Sequence, residues 1–297
     1  MIFKWQNRLF NNSIRFFAAS EKQLKQRLKA ITSIEKITKA MKMVAASKVK
    51  FDVQRLDNGK SFGYYSFDTV MKSDTYLQKR PIIESKIMKT LLIPITTDKG
   101  FCGGINSSII RELRTFINEH DKKNIGIFTL GEKGISACMR AFPECLIYGI
   151  SQTANPLNAL NVSCICEEIG RVAENYDNLI FYYNEYKNSI TYLLRTIKIH
   201  PKKKFKIITS NIVRYEKDIP EGTAADQSLF DLYFFSNLYH AILHNAASEQ
   251  SARMNSMTNA NKNAGEFAEK LNRDINKARQ AHITMELCEI ISGASVL

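Results

Sequence analysis

Proline is absent from the last 72 residues, Asp226 to Leu297, and glycine occurs there only twice, as Gly265 and Gly293. With no residue to break it, the stretch can run as one helix, roughly 108 Å long at 1.5 Å per residue. One globular core cannot hold such a helix. It needs a partner helix along part of its length and a separate sheath around the rest. Lysine and arginine are missing from Gln280 to Leu297, where only Glu286 and Glu289 carry charge. No apolar run approaches the ~18 to 20 residues of a membrane span, so a membrane link must run through a partner. The six cysteines form no CxxC and no Cys/His zinc spacing, and Cys164-x-Cys166 is too short to be informative. That usage suits a reducing compartment. No Ser/His/Asp or paired-carboxylate constellation stands out, so the chain reads as non-catalytic, with no cofactor and no metal. His240 and His244 stand four apart on one helical face, but no carboxylate or cysteine nearby completes a site, and packed histidines are the commoner case.

What is present is positive charge: a formal net charge of +13 over 297 residues, with a pI near 9.4. An anionic partner follows, nucleic acid being the first thought. The charge is uneven, however. Glu21 to Lys60 holds eleven Lys and Arg against four Asp and Glu. A nucleic-acid binder would more often keep its charge on one continuous face. Residues 1–20 contain Lys4, Arg8 and Arg15, no acid, and interleaved large apolar side chains such as Phe3, Trp5 and Phe16. That is the composition of a mitochondrial targeting segment.

Along the final helix a series recurs at alternating steps of three and four: Met254, Met257, Asn261, Ala264, Ala268, Leu271, Ile275 and Ala278. This is the seam of a helix packed along another helix. Its partner is a helix over Glu21 to about Asp57, weakened at Asn58-Gly59. There the apolar stripe runs Leu24, Leu28, Ile31, Ile34, Ile37, Met41 and Val44, and Ala40, Ala45 and Ala46 leave room for close approach. Residues 60–85 read as a frayed continuation of it.

From Lys86 the texture changes. Lys89–Ile95 is a buried-strand run, and Thr96–Gly104 is a glycine loop. A helix over Asn106–Glu119 and a strand over Ile125–Leu130 follow, which together make a βαβ unit. A helix over Asn161–Glu174, a strand over Asn178–Tyr183 and a strand over Ser189–Lys198, turning about Lys187-Asn188, complete the domain. The fold class is thus an α/β insert plus a long antiparallel coiled coil formed by the N- and C-terminal helices. Its divisions are 1–20, a targeting segment; 21–85, the first coiled-coil helix; 86–210, the α/β domain; and 211–297, a linker and the long C-terminal coiled-coil helix.

Glycines before a helix can cradle a phosphate. The loop Asp98–Gly104 lacks the GxxxxGK[ST] order, since Lys99 precedes its glycines. Gly126–Glu132 has nearer spacing but carries an acid where the lysine must be. Both are expected to be structural turns. Ser248–Met254 and Met41–Lys48 bring methionines and polar hooks onto both helices, where a surrounding body can touch them.

Four stretches taken in order resemble one family. Ile37–Lys48 (ITKAMKMVAASK) is similar to the N-terminal helix signature of the gamma subunit of the F-type ATP synthase. Thr96–Asn106 (TTDKGFCGGIN) looks like that family's central-domain loop. Ala247–Asn255 (ASEQSARMN) and Ala278–Leu297 (ARQAHITMELCEIISGASVL) resemble its C-terminal helix. Residues 110–225 match only in general pattern, and the lack of a long insertion with a cysteine pair disfavours the chloroplast version. The resemblance implies the central rotor shaft. It would turn inside a 3:3 ring of alpha and beta subunits, with delta and epsilon subunits attached, and rest on the c-ring. The location implied is the matrix side of the mitochondrial inner membrane, peripheral through the c-ring. Arg253, Gln280 and Thr284 would meet the beta-subunit catch loop, and Lys42 and Met43 the torque-transmitting region. Ile290, Ile291, Val296 and Leu297 would form an apolar bearing tip. The competing readings are a basic coiled-coil nucleic-acid-binding protein with an α/β insert, and an α/β enzyme holding a ligand near Gly103.

Overall fold

The computed structural model describes residues 2–60, 89–152, 156–199 and 224–294. The expectations for residues 61–88, for the linker up to residue 223, and for Val296 and Leu297 lie outside the described residues. The described elements are α1 (Ile2–Gly59), β1 (Thr90–Pro94), α2 (Ile105–Glu119), β2 (Ile125–Leu130), α3 (Glu132–Ala141), β3 (Leu146–Ile150), α4 (Ala159–Ala173), β4 (Asn178–Tyr186), β5 (Tyr192–Ile199) and α5 (Ala224–Ala294). The chain divides into two compact units, one of Met1–Val44 with Ser256–Leu297, the other of Ala45–Asn255.

In the larger unit five strands form one sheet in the order β3-β2-β1-β4-β5. All neighbours are parallel except β4 and β5, which form an antiparallel hairpin. The central strand β1 is buried on both faces, so it reads as an unbroken apolar run rather than an alternation. Leu92 faces Ile109, Leu113 and Ile117 of α2, while Leu91 and Ile93 face Val162, Ile165 and Ile169 of α4. The four-residue spacing of the α2 positions gives that helix one apolar face. Each such side chain, fully buried, stabilises by roughly 1.5–3 kcal/mol. Pro94 ends β1 without an N–H, and the next residue restores the ladder: Ile95 N donates to Tyr182 O at 2.8 Å.

The start of α5 belongs to this unit, where Phe230, Phe234, Leu238, Ala241 and Ile242 join the cluster beside α4. From α1, Leu56 packs with Leu243 and Ala247. The expected α/β strands and helices are present, with β4 three residues longer than the sequence suggested. Two elements add to them. The α3 helix is ten residues long with Gly134 inside, and β3 (LIYGI) is a short edge strand, exposed at Ile147, Tyr148 and Gly149. Neither shows a clean period.

In the smaller unit α1 and α5 pair antiparallel. Near the start of α1, Glu21 is held below the usual carboxylate range, first by a hydrogen bond from Lys25 and then by the nearby charges of His282 and Arg279. Further along α1, Thr38 Oγ1 lies 3.3 Å from Asn261 Oδ1. Advancing on α1 therefore means retreating on α5. Along α5, Met257, Ala264 and Ile275 are buried and Asn261, Ala268, Leu271 and Ala278 half-buried, while most positions between them face out. That seam follows the expected series.

The α1 stripe needs a correction. Ile34, Ile37 and Val44 are exposed, and the covered row runs through Leu24, Leu28, Ile31, Glu35, Thr38 and Met41 to Ala45. Of the three alanines only Ala45 is covered; Ala40 and Ala46 face out. The regular three–four step continues through Glu35 and Thr38 whatever their polarity, and choosing the most apolar residue slips one position at Ile34.

Candidate functional site

The middle of α5, from His240 to Asn255, is tied to the α/β elements of the larger unit by a series of side-chain hydrogen bonds. In a doubly wound sheet the crevice outside the carboxyl ends of the strands, where the connections diverge, is the usual place for a ligand. Here β1 leads to α2 on one face of the sheet, and its neighbour β4 is reached through α4 on the other. The segments leaving these two ends are the loop after β1 and the β4–β5 turn, and both are bonded to α5.

On the β4 side, Asn184 is fully buried, and its Nδ2 donates to Asn245 Oδ1 at 3.1 Å. Ser248 Oγ donates to Asn184 O at 3.0 Å. Ser251 Oγ and Asn255 Nδ2 both donate to Ser189 O, at 2.6 and 2.8 Å. His240 and His244 are buried edge to face with ring centroids 4.5 Å apart. The Nδ1 of His244 accepts a hydrogen bond from the Tyr186 N–H at 3.2 Å, so its proton sits on Nε2. Burial, with His240 beside it, pushes His244 down to about 4, whereas burial alone leads the lowering of His240. These histidines are packed side chains.

On the β1 side stands Arg253, only 8% exposed. Its Nη2 donates to Glu249 Oε1 at 2.6 Å and its Nη1 to Gln250 Oε1 at 2.9 Å. Its Nε and Nη2 also reach Gly100 O at 3.3 Å and Lys99 O at 3.4 Å. Burial raises the Glu249 carboxyl above its ordinary range, and the Arg253 charge offsets part of that. The loop itself is closed by Asn106, whose Nδ2 donates to Thr97 Oγ1 at 2.8 Å while its Oδ1 accepts from Thr97 N at 3.2 Å. Phe101 and Gly103 both take positive φ, +62° and +63°, to make the turn. This loop presents carbonyls to a guanidinium, the opposite polarity to a phosphate cradle. The other glycine motif is no loop at all, since Gly126–Leu130 lie in β2. Gly131, at φ +97°, turns against Thr96, whose backbone a Cβ there would strike.

From α1, Arg55 Nη2 donates to Leu157 O at 2.5 Å, and Arg55 lies 3.8 Å from the buried Asp52. Sequence reasoning singled out neither Arg55 nor Asn245, which accepts the Asn184 hydrogen bond. The one available signal was a run of small polar residues at helical spacing, Asn245, Ser248, Ser251 and Asn255, within an otherwise buried helix.

The other expected contact residues stand apart from this cluster. Met43 is 61% exposed on α1, with Lys42 half-buried next to it. Gln280 and Thr284 are exposed on α5, one turn apart, and Thr284 Oγ1 donates to Gln280 O at 2.9 Å. Ile290 and Ile291 are 70% and 61% exposed, and Ile283 and Leu287 are uncovered as well. An apolar helix end left open marks a surface awaiting a partner.

Comparison with known proteins bears on this arrangement. The family described as ATP synthase matches residues 20–297. The ATP synthase gamma chain of Pelagibacter ubique is 33% identical over 288 residues, spanning 92% of this chain and 98% of that one. The mitochondrial ATP synthase F(1) complex subunit gamma of Dictyostelium discoideum is 34% identical over 288 residues, spanning 94% and 92%. Among solved structures, a chain of the Tetrahymena thermophila mitochondrial ATP synthase, in its central stalk and c-ring, is 38% identical with a TM-score of 0.68. The match covers 75% of this chain and 99% of that one.

Proposed function

The chain belongs to the gamma-subunit family of the ATP synthase, and from that premise we propose that it is the central rotor shaft of an F1Fo complex, coupling proton-driven c-ring rotation to ATP synthesis. The observation that carries this reading is the match over residues 20–297, which takes in both paired helices and the whole α/β domain. The chain is a subunit of an enzyme complex, and its own part is mechanical: catalysis belongs to the surrounding subunits. Those subunits are a ring of three alpha and three beta, with delta and epsilon attached near the α/β domain and the c-ring beneath.

The physics of the site supports the assignment. An asymmetric shaft inside a threefold ring gives each catalytic site a different neighbour, and rotation then shifts affinities through differential contacts. An end without Lys or Arg, carrying exposed Ile290 and Ile291, can turn in an apolar collar with no cation to pin one angle. Gln280 and Thr284 meet a beta-subunit loop from the exposed face of α5, Arg253 meets it only at the rim of its buried cluster, and Lys42 and Met43 do so from α1. Residues 1–20 serve as a mitochondrial targeting segment. The family match begins where that basic, acid-free stretch ends, and mitochondrial relatives are among the matches. The working place is the matrix side of the inner membrane. Nothing in the fold or the comparisons supports nucleic-acid binding.

The test is co-purification through a tag on this chain. The rotor reading expects alpha and beta subunits, each in threefold excess over it; recovery of the chain alone, or with nucleic acid in their place, would overturn it. Within that complex, Gln280→Ala with Thr284→Ala should lower coupled ATP synthesis while the subunit ratio stays unchanged. A complex that makes ATP at the parental rate would remove both residues from the contact.

A further inference from the structure

In the smaller unit α1 runs on toward its N-terminus past the point where it covers α5. Thr38 lies against Asn261, and Glu21 feels the charges of Arg279 and His282. Carried on in that register, Arg15 comes opposite Met285, and residues 2–14 come opposite Glu286 and beyond. There the cover on α5 ends: Ala281, His282 and Met285 are half-buried, while every described residue from Glu286 to Ala294 is exposed. The first residues of α1 therefore shield none of the described end of α5. A helical segment of about a dozen residues without such packing is marginal in water and opens at little cost.

The same stretch carries a pattern that a peptidase can read. Two arginines there stand two places before a phenylalanine, in Arg8-Leu9-Phe10 and in Arg15-Phe16-Phe17. Only the second is followed by small residues, Ala18, Ala19 and Ser20, and only the second lies where the cover on α5 stops. Glu21, the first acid of the chain, already belongs to the paired region. An endopeptidase that strips basic leaders takes its substrate as an extended strand, with side-chain pockets on either side of the cut. An acidic pocket suits the arginine and an apolar one the aromatic ring.

We propose that the Phe16–Phe17 bond is a processing site, hydrolysed by a matrix endopeptidase that reads Arg15 before the cut and Phe17 after it. The proposal rests on the reading of residues 1–20 as a targeting segment and names the bond at which that segment leaves. Water is the only co-reactant. Its oxygen adds to the Phe16 carbonyl carbon, which becomes a carboxylate, and the Phe17 nitrogen leaves as a free ammonium. Lys4, Arg8 and Arg15 depart together, so no basic side chain remains on α1 ahead of Lys22.

Import of the full-length chain into isolated mitochondria tests the bond. The chain should become protected from added protease and be recovered with Phe17 at its N-terminus, or Ala18 where one terminal residue is trimmed. A protected chain with any other N-terminus would overturn the proposal and leave the targeting reading intact. A chain that stays outside would remove the targeting reading, and an assay that needs no import then decides the proposal. In that assay, matrix extract acts on the purified full-length chain. Arg15→Gln should slow the cut about tenfold, as for one lost charge-assisted hydrogen bond. Arg8→Gln should leave the rate within about twofold, because Arg8 lies roughly 24 Å away along an extended strand, beyond a Debye length. Equal slowing by both variants, or by neither, would mean that Arg15 does not set the cut.

Discussion

His244 carries the clearest consequence of burial at a single residue. Its Nδ1 must stay unprotonated to accept the Tyr186 N–H, and it is pushed down to about 4, whereas an unfolded chain would protonate it near 6.5. Above pH 6.5 the neutral ring is free in both states and the stabilisation is complete. As pH falls from 6.5 toward 4 the unfolded state binds the extra proton, and stability drops by up to about 3 kcal/mol. Glu185 opposes this shift, while His240, Lys60 and Lys187 reinforce it. Chemical denaturation at pH 7 and pH 5 should show the loss, and His244→Gln should flatten it. Arg253 makes a second residue-scale prediction. Arg253→Ala strands the buried Glu249 and should cost about 3 kcal/mol, partly recovered by adding Glu249→Gln. Thermal denaturation of the single and double variants reads this directly, and simple additivity would mean that the two side chains do not act as a pair.

At the scale of elements, the seam predicts where size matters. Ala264→Leu or Ala268→Leu should overpack the α1–α5 contact and destabilise by roughly 1–3 kcal/mol each. Ile37→Lys, on the exposed row of α1, should stay within about 0.5 kcal/mol in the isolated chain. The same melting curves check both, and equal effects would mean the seam is misassigned. The α5 seam was legible because small and apolar residues mark nearly every position from Met254 to Ala278. The α1 seam was legible only to Ile31. Beyond it the covered row passes through Glu35 and Thr38, and a reader following hydrophobicity moves onto Ile34 and Ile37, which face out. Strands β1, β2 and β4 announced themselves as apolar runs, whereas β3 is an exposed edge carrying Gly149 and α3 is a short helix carrying Gly134. The grip on α5 was the least visible part. Asn245, Ser248, Ser251 and Asn255 are ordinary polar residues until the topology brings the ends of β1 and β4 beside them.

For the whole molecule, the two units divide the labour. One pairs the terminal helices and ends in uncovered isoleucines, while the other fastens the same α5 helix to a five-stranded sheet. The positive charge concentrated on α1 would draw an acidic partner surface, an attraction that salt would partly screen. The central claim is that this chain turns within its complex. Cys164 on α4 is exposed, and with Cys288→Ser in place it can carry a probe on the outside of the α/β domain. With the alpha–beta ring fixed to a surface and ATP supplied, the account predicts stepwise rotation of that probe in one direction, stopping when ATP is withdrawn. A ring that hydrolyses ATP at its normal rate while the probe stays at one angle would contradict it.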